Sequence, residues 1–271
     1  MGFFTTLLVL IPLITLPLVF YRITLILDPK RNKPIRHGRR NPNEPSHLLI
    51  VLGSGGHTAE MLSMLERCVS EKDPLLRLDW KEFNYRTWVV STGDTLSAER
   101  AKEFEEMAVT LTKQEDLMAG KVRKVTDLGP GQYEIATVPR AREIHQSVYT
   151  APISSVKCAL SCYELLTKYT DETREGHGGN GKKDYPDLIL TNGPATGTIL
   201  IYTAILMRFL NTKGCSTRSK LRSVYVESFA RVKQLSISGS LLKNVVDRFL
   251  VQWPQLKRKA GPRAEYLGVL V

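Results

Sequence analysis

The first twenty-one residues contain no charged side chain, and no basic residue stands ahead of their apolar core. No A-x-A cleavage site follows that core, which argues against a cleaved secretory signal. The four cysteines, Cys68, Cys158, Cys162 and Cys215, form no C-x-x-C pair and have no zinc spacing. They read as reduced thiols of a cytosolic fold. Histidines and carboxylates do not group at ligand spacing either, so no metal site is expected. A G-K-[ST] phosphate loop is absent, which argues against an ATP-binding P-loop. No tyrosine is followed by lysine four positions on, so the pair expected of a short-chain NAD(P) reductase is missing. There is no internal repeat. At 42% hydrophobic and 24% charged, the composition of the 271 residues also excludes disorder.

What is present begins with residues 3–21, all uncharged and mostly apolar. As a helix rising about 1.5 Å per residue, they span about 28 Å, the thickness of a bilayer core. Pro12 and Pro17 are tolerable kinks in such a helix. Residues 22–40 then hold seven basic side chains, Arg22, Lys30, Arg31, Lys33, Arg36, Arg39 and Arg40, against Asp28 alone. That places +6 of the formal +11 in one short collar. Charge placed this way does not describe a nucleic-acid-binding domain. It is the positive-inside pattern: the N-terminus outside, everything after Arg22 in the cytosol. The expected division is a transmembrane anchor over 1–21, a basic juxtamembrane linker over 22–46 and a cytosolic domain over 47–271.

Beyond the linker, strand and helix patterns alternate. Strands are expected at 47–52, 85–91, 133–138, 187–191 and 221–226, with 249–252 as a sixth. Helices are expected over 58–69, 97–107, 147–169 and 195–210. Alternation of this kind predicts an α/β fold, a Rossmann-like parallel sheet with helices on both faces. Two stretches, 112–131 and the polar 174–184, read as insertions, the second as a mobile loop.

Each predicted strand ends in a polar or glycine-rich cluster: GSGGHT, STGD, PRARE, TNGPATG, ESFARV. In an open α/β sheet those carboxyl ends form the ligand crevice. Gly53, Ser54, Gly55 and Gly56 suit a phosphate or diphosphate held by backbone amides at a helix start. The dinucleotide fingerprint is broken, because its third glycine falls at Thr58. His57 at the loop tip is a candidate general base or a donor to a phosphate oxygen, unless it only packs or caps the helix. Glu60, one turn on, can face the same crevice. Asn192, Gly193 and Pro194, with Thr196, form a second strand-to-helix turn that suits a sugar or the same diphosphate. Arg140 and Arg142 lie two apart, so one of them can reach the crevice as a bidentate phosphate ligand. Glu227 either faces the ligand or pairs with Arg231.

These stretches together, GSGGHTAEM, PRAREIHQS, LTNGPATG, YVESFARVKQLSISGSLL, DRFLVQWPQL and the terminal YLGVLV, resemble one family. It is the membrane-anchoring subunit of the eukaryotic UDP-N-acetylglucosamine transferase of dolichol-linked oligosaccharide synthesis. The family is in turn similar to the N-terminal half of two-lobed GT-B glycosyltransferases acting on lipid-linked acceptors. The resemblance implies that this chain holds N-acetylglucosaminyl-diphospho-dolichol at the cytosolic face of the endoplasmic reticulum. A separate soluble catalytic subunit would bind the donor, UDP-N-acetylglucosamine, and this chain would carry no cofactor of its own. It implies acceptor-loop roles for Gly53 to His57 and for Asn192, Gly193 and Pro194. Ala195 departs from the pattern, where the family often has glycine. The residues after Gln252 are too few for a second nucleotide-binding lobe, which agrees with a donor site on another chain. The tail Tyr266, Leu267, Gly268, Val269, Leu270 and Val271 is uncharged, and is expected to dock on the partner rather than on its own domain. The rival expectation is a pure scaffold whose loops take no part in the chemistry.

Overall fold

The computed structural model describes residues 2–28, 46–71, 73, 78, 80–83, 85–118, 120, 131–142, 146, 149, 151–171, 184–193 and 195–271. Most of the expected linker and of the polar loop after residue 173 lies outside the described residues, as do residues 121–130 and Pro194.

Strand β1 (His47–Val51) is HLLIV, buried at every position. A strand covered on both faces needs such a continuous apolar run. Its side chains alternate between two cores. Leu48, Ile50 and Leu52 pack with Met61, Leu65, Trp88 and Phe104 on one face. Leu49 and Val51 pack with Cys158, Leu200, Ile201 and Phe249 on the other. The first face is covered by α2 (Gly56–Ser70) and α3 (Thr95–Met118). The second is covered by α4 (Ala151–Asp171), α5 (Ala195–Leu210), α6 (Ile237–Leu242) and α7 (Pro254–Ala260).

The remaining strands are β2 (Tyr85–Ser91), β3 (Gln132–Val138), β4 (Leu188–Thr191), β5 (Arg222–Val226), β6 (Arg248–Val251) and β7 (Ala264–Tyr266). All seven are parallel, in the order β3-β2-β1-β4-β5-β6-β7. The chain reverses its winding at β1/β4, so those carboxyl ends leave a crevice between diverging helices. The expected α/β architecture is therefore present, with one strand more than the sequence pattern gave. α3 is longer than expected. It runs on to Met118, so the first part of the supposed insertion at 112–131 is helix.

Buried charge fixes one flank. Arg86 on β2 and Glu105 on α3 are both fully buried and form a two-pronged ion pair, 2.7 Å at its shortest. The indole N–H groups of Trp88 and Trp80 donate to the same carboxylate at 2.7 and 3.3 Å. Each polar group of this cluster thus has its partner inside the core, as burial demands.

Ahead of the sheet stands α1 (Gly2–Leu27), one unbroken helix that continues past the expected boundary at residue 21. Its last turn belongs to the domain. Ile26 is buried, Arg22 donates to the carbonyls of Arg208 and Phe209 at 2.9 and 3.1 Å, and Arg263 donates to that of Leu27 at 2.7 Å. Among the described residues, no helix is long and apolar enough to cross a membrane.

Candidate acceptor site at the switch point

The turn after β1 is shaped by Gly55, whose φ of +60° is a left-handed value that side chains rarely adopt. Gly55 is the N-cap of α2, and no side chain caps it. The first helical bond closes from the Ala59 N–H to the Gly55 carbonyl. The amides of the first turn therefore carry the positive end of the helix into an opening. A Cβ at Gly55 or Gly56 would meet nothing within 4 Å, so both border open space. Ser54 is exposed beside them, whereas Gly53 is buried. The Gly53 carbonyl is held from behind by the hydroxyl of Thr58, which also bonds Ser97 Oγ at 2.8 Å.

The second turn is pressed against the first. A Cβ on Gly193 would approach Thr191 Oγ1 to 3.1 Å and Gly53 N to 3.4 Å. One on Gly197 would approach Thr191 Oγ1 to 2.6 Å. These contacts explain why glycine stands at both positions. Thr191 spends its hydroxyl on the Val51 carbonyl at 3.1 Å and accepts from the Gly193 N–H at 2.9 Å. Asn192 closes the gap by donating from Nδ2 to the His57 carbonyl at 2.8 Å. Ala195 begins α5, half-buried, and takes no part in these bonds.

Three sequence-predicted residues stand at these two turns. His57 Nδ1, Glu60 Oε2 and Asn192 Oδ1 are each buried without a hydrogen-bond partner. A buried polar atom left unpaired is costly, so each of these atoms has capacity for one further hydrogen bond. The other Glu60 oxygen accepts from Ser228 Oγ at 2.9 Å, which draws the end of β5 into the site. Sequence reasoning missed Ser228. Its signal was its place directly after Glu227 at a strand end.

Glu227 is placed differently from the expectation that it faces the ligand or pairs with Arg231. It is fully buried, and its carboxylate accepts from Ser228 N, Ser236 N and Ser236 Oγ at 3.2, 3.1 and 3.1 Å. Burial raises its pKa above the usual carboxylate range, against the pull of the Ser236 and Ser228 donors. A Cβ on Gly239 would strike this carboxylate, so Glu227 and Gly239 together fix the start of α6. Glu227 supports the site from behind, through Ser228. Thr196 is likewise buried at the start of α5, 3.4 Å from both Ser91 Oγ and the Ala141 N–H. Arg140 follows β3, half-buried, and Arg142 is exposed, donating to the Gln146 carbonyl at 3.2 Å. Neither arginine is bonded to the loops in the described structure. Among the described residues, no three histidines, cysteines or carboxylates group as metal ligands.

The tail lies on its own domain. Ala264–Tyr266 pairs with β6, and the Leu270 N–H donates to Gln252 Oε1 at 3.2 Å. Arg67 of α2 donates to the carbonyls of Val269 and Val271 at 3.1 and 3.4 Å. Leu270 packs on the core, while Tyr266, Leu267 and Val269 remain exposed, Leu267 at 59%.

A parallel doubly wound sheet, with two interlocked glycine turns and an uncapped helix start at its switch point, defines a Rossmann-like α/β protein. Residues 48–270 match the family described as "Oligosaccharide biosynthesis protein Alg14 like", and the chain belongs to that family. It is 36% identical to the UDP-N-acetylglucosamine transferase subunit alg14 of Aspergillus fumigatus, over 78% of this chain and all of that one. It is 32% identical to the corresponding subunit of Debaryomyces hansenii over the whole of both chains. With the subunit of Homo sapiens it shares 30% identity over 85% of each. No solved structure matches significantly.

Proposed function

We propose that this chain is the membrane-anchored, acceptor-binding subunit of a heteromeric N-acetylglucosaminyltransferase. In this reading, it holds N-acetylglucosaminyl-diphospho-dolichol while a soluble partner supplies UDP-N-acetylglucosamine. The names of its relatives support a transferase subunit. The observation that supports an acceptor role is that His57 Nδ1, Glu60 Oε2 and Asn192 Oδ1, on the two glycine turns and the helix they start, are buried without partners while Gly55 and Gly56 border open space. The anchor reading rests on the uncharged run 3–21 and on the exposed apolar side chains of α1, including Leu13, Leu16 and Phe20. In this reading the protein sits in the endoplasmic reticulum membrane, with the α/β domain in the cytosol.

The reaction is inverting. The 4-hydroxyl oxygen of the acceptor sugar attacks C1 of the donor sugar, and the C1–O bond to UDP breaks with its electron pair leaving on UDP. The hydroxyl proton passes to a base, for which His57 is the first candidate and Glu60 the second. The amides at the start of α2 hold the acceptor diphosphate. Ser54, Asn192 and Gly193 line its approach, and Arg140 and Thr196 bound it on the β3 side. Tyr266, Leu267 and Val269 form the partner-facing edge.

The test is sugar transfer in membranes carrying this chain, the soluble partner, or both. Activity is expected only with both. His57→Ala should lower turnover by about 10²-fold or more while partner capture is unchanged. Wild-type turnover in that variant would remove His57 from the chemistry. Activity from the partner alone would reduce this chain to a scaffold.

A further inference from the structure

At the opposite edge of the sheet, where the strands begin, the end of α1 meets the end of α5 around a cavity of about 320 Å³. Among the described residues, four cationic side chains line it, Arg22, Arg208, Lys220 and Arg222, and no carboxylate does. Carboxylates stand behind the cavity cations, and Asp247 and Asp187 act on Arg222 as well. Arg208 grips Asp247 at 2.8 and 3.2 Å, and Lys220 reaches Asp187 at 2.9 Å. Arg22 is spent on main-chain carbonyls, which carry no charge. Those two bonds use two of the five donors of its guanidinium. Desolvation lowers the Arg222 pKa, and the neighbouring Arg208 adds to that, with Asp247 and Asp187 pulling the other way. An anion entering here would meet cations already gathered and partly stripped of water.

The wall facing α1 is the turn 211–221, and its backbone is unusual. The four non-glycine residues with left-handed torsions among the described residues, Asn211, Lys213, Ser219 and Leu221, all lie within it. Such torsions persist where the surroundings enforce them, and they cluster at functional sites. Here Asn211 Oδ1 accepts from the N–H groups of Ser216 and Thr217 at 3.0 and 3.2 Å. The Leu221 N–H is tied to the Pro186 carbonyl at 2.7 Å. The result brings the hydroxyl side chains of Thr217 and Ser219 to the cavity wall. Across from them the wall is apolar, formed by Leu25 and Ile26 of α1. Cations and hydroxyls on one side, and the flank of an apolar helix on the other, suit a phosphate carried on a hydrocarbon chain.

We propose that this cavity receives the phosphate of an anionic membrane-lipid headgroup, with the acyl chains lying along α1. The inference rests on the reading of α1 as the membrane anchor, whose first charged residue is Arg22. It assigns the site to a resident lipid rather than to the lipid-linked substrate, whose crevice lies at the other edge of the sheet.

The test uses the full chain in nanodiscs of phosphatidylcholine with or without phosphatidylinositol, followed by native mass spectrometry of retained lipid. Wild type should retain phosphatidylinositol over phosphatidylcholine by about fivefold or more, as expected for a cationic cluster at a headgroup. Arg222→Gln combined with Ser219→Gly should bring that preference to about unity, since glycine keeps the left-handed torsion and removes the hydroxyl. Arg222→Lys, which keeps the charge, should restore most of it. Equal retention in wild type and in the double variant would overturn the proposal. So would displacement of the lipid by millimolar inorganic phosphate, which would mark the cavity as a site for a soluble anion. Alkaline extraction of the same membranes separates the two readings. Release of wild type into the supernatant refutes the anchor, whereas retention without a phosphatidylinositol preference refutes the cavity alone.

Discussion

His47 opens β1 and shows how a single side chain couples the fold to pH. Its ring is enclosed, with Nδ1 3.0 Å from the Asp184 carbonyl and Nε2 2.8 Å from Thr87 Oγ1. Burial lowers its pKa from 6.5 to about 4, overcoming the upward pull of Asp184 and Asp187. Because the folded value lies below the free one, the unfolded chain takes up the proton first. Stability should therefore fall as pH drops from about 6.5 toward 4, by about 3 kcal/mol at most, and change no further from this group below that. Denaturation of the full chain in detergent at several pH values would show it, and His47→Gln should flatten the curve in that window. At this scale the sequence was legible only where chemistry was unusual. His57, Glu60 and Asn192 stood out because they sit on glycine turns at strand ends. Arg86 and Glu105 did not, since nothing local reveals that an arginine in an apolar strand has its carboxylate nineteen residues away. Glu227 was seen, but its orientation depended on Ser236 and Gly239, which approach it only once α6 has folded back.

Among elements, the strands β1, β2, β4 and β5 were read to within a residue, the long helix α3 was cut short, and the short α6, α7 and β7 were missed. α5 was expected at 195–210 and spans Ala195–Leu210, because its apolar face and the glycine turn before it agree. β7 has three residues, and no alternation can be recognised in so short a run. It forms because β6 offers an unpaired edge and Gly261, at φ +99°, turns the chain back toward it. The tail was weighed as either partner-bound or self-docked. In the described chain it docks on α2 and β6 while turning Tyr266, Leu267 and Val269 outward. Deleting residues 268–271 removes Leu270 from the core and the two carbonyls that Arg67 holds. We expect that deletion to abolish co-purification of the soluble partner while the chain stays in the membrane. Normal capture by the truncated chain would move the interface elsewhere.

For the whole molecule, the sheet order places β1 between partners drawn from both halves of the chain, β2 and β4. The sequence predicted a parallel sheet, but strand order depends on long-range pairing and could not be read from it. The same limit hid the socket of α1. Arg22, Arg208 and Arg263 were visible as basic residues, but not as the donors that tie α1 to the domain, Arg22 to the carbonyls of Arg208 and Phe209, and Arg208 and Arg263 to those of Ile26 and Leu27. That socket has a mechanical consequence. If α1 stands in the bilayer as proposed, it is gripped at the start of the strands, and the crevice lies one strand length farther along the sheet, about 17 Å for the five residues of β1. A diphosphate tethered to a membrane lipid stays near the headgroups and cannot climb that distance. On the proposed anchor and acceptor roles, the domain is expected to recline, its strands running along the membrane surface rather than away from it. A nitroxide at Ser54 should then report headgroup depth in proteoliposomes, whereas a label fully in water would show a sheet standing upright. On that reading the clamp at the end of the helix acts as a tilt setting: it decides how far the crevice hangs above the lipid.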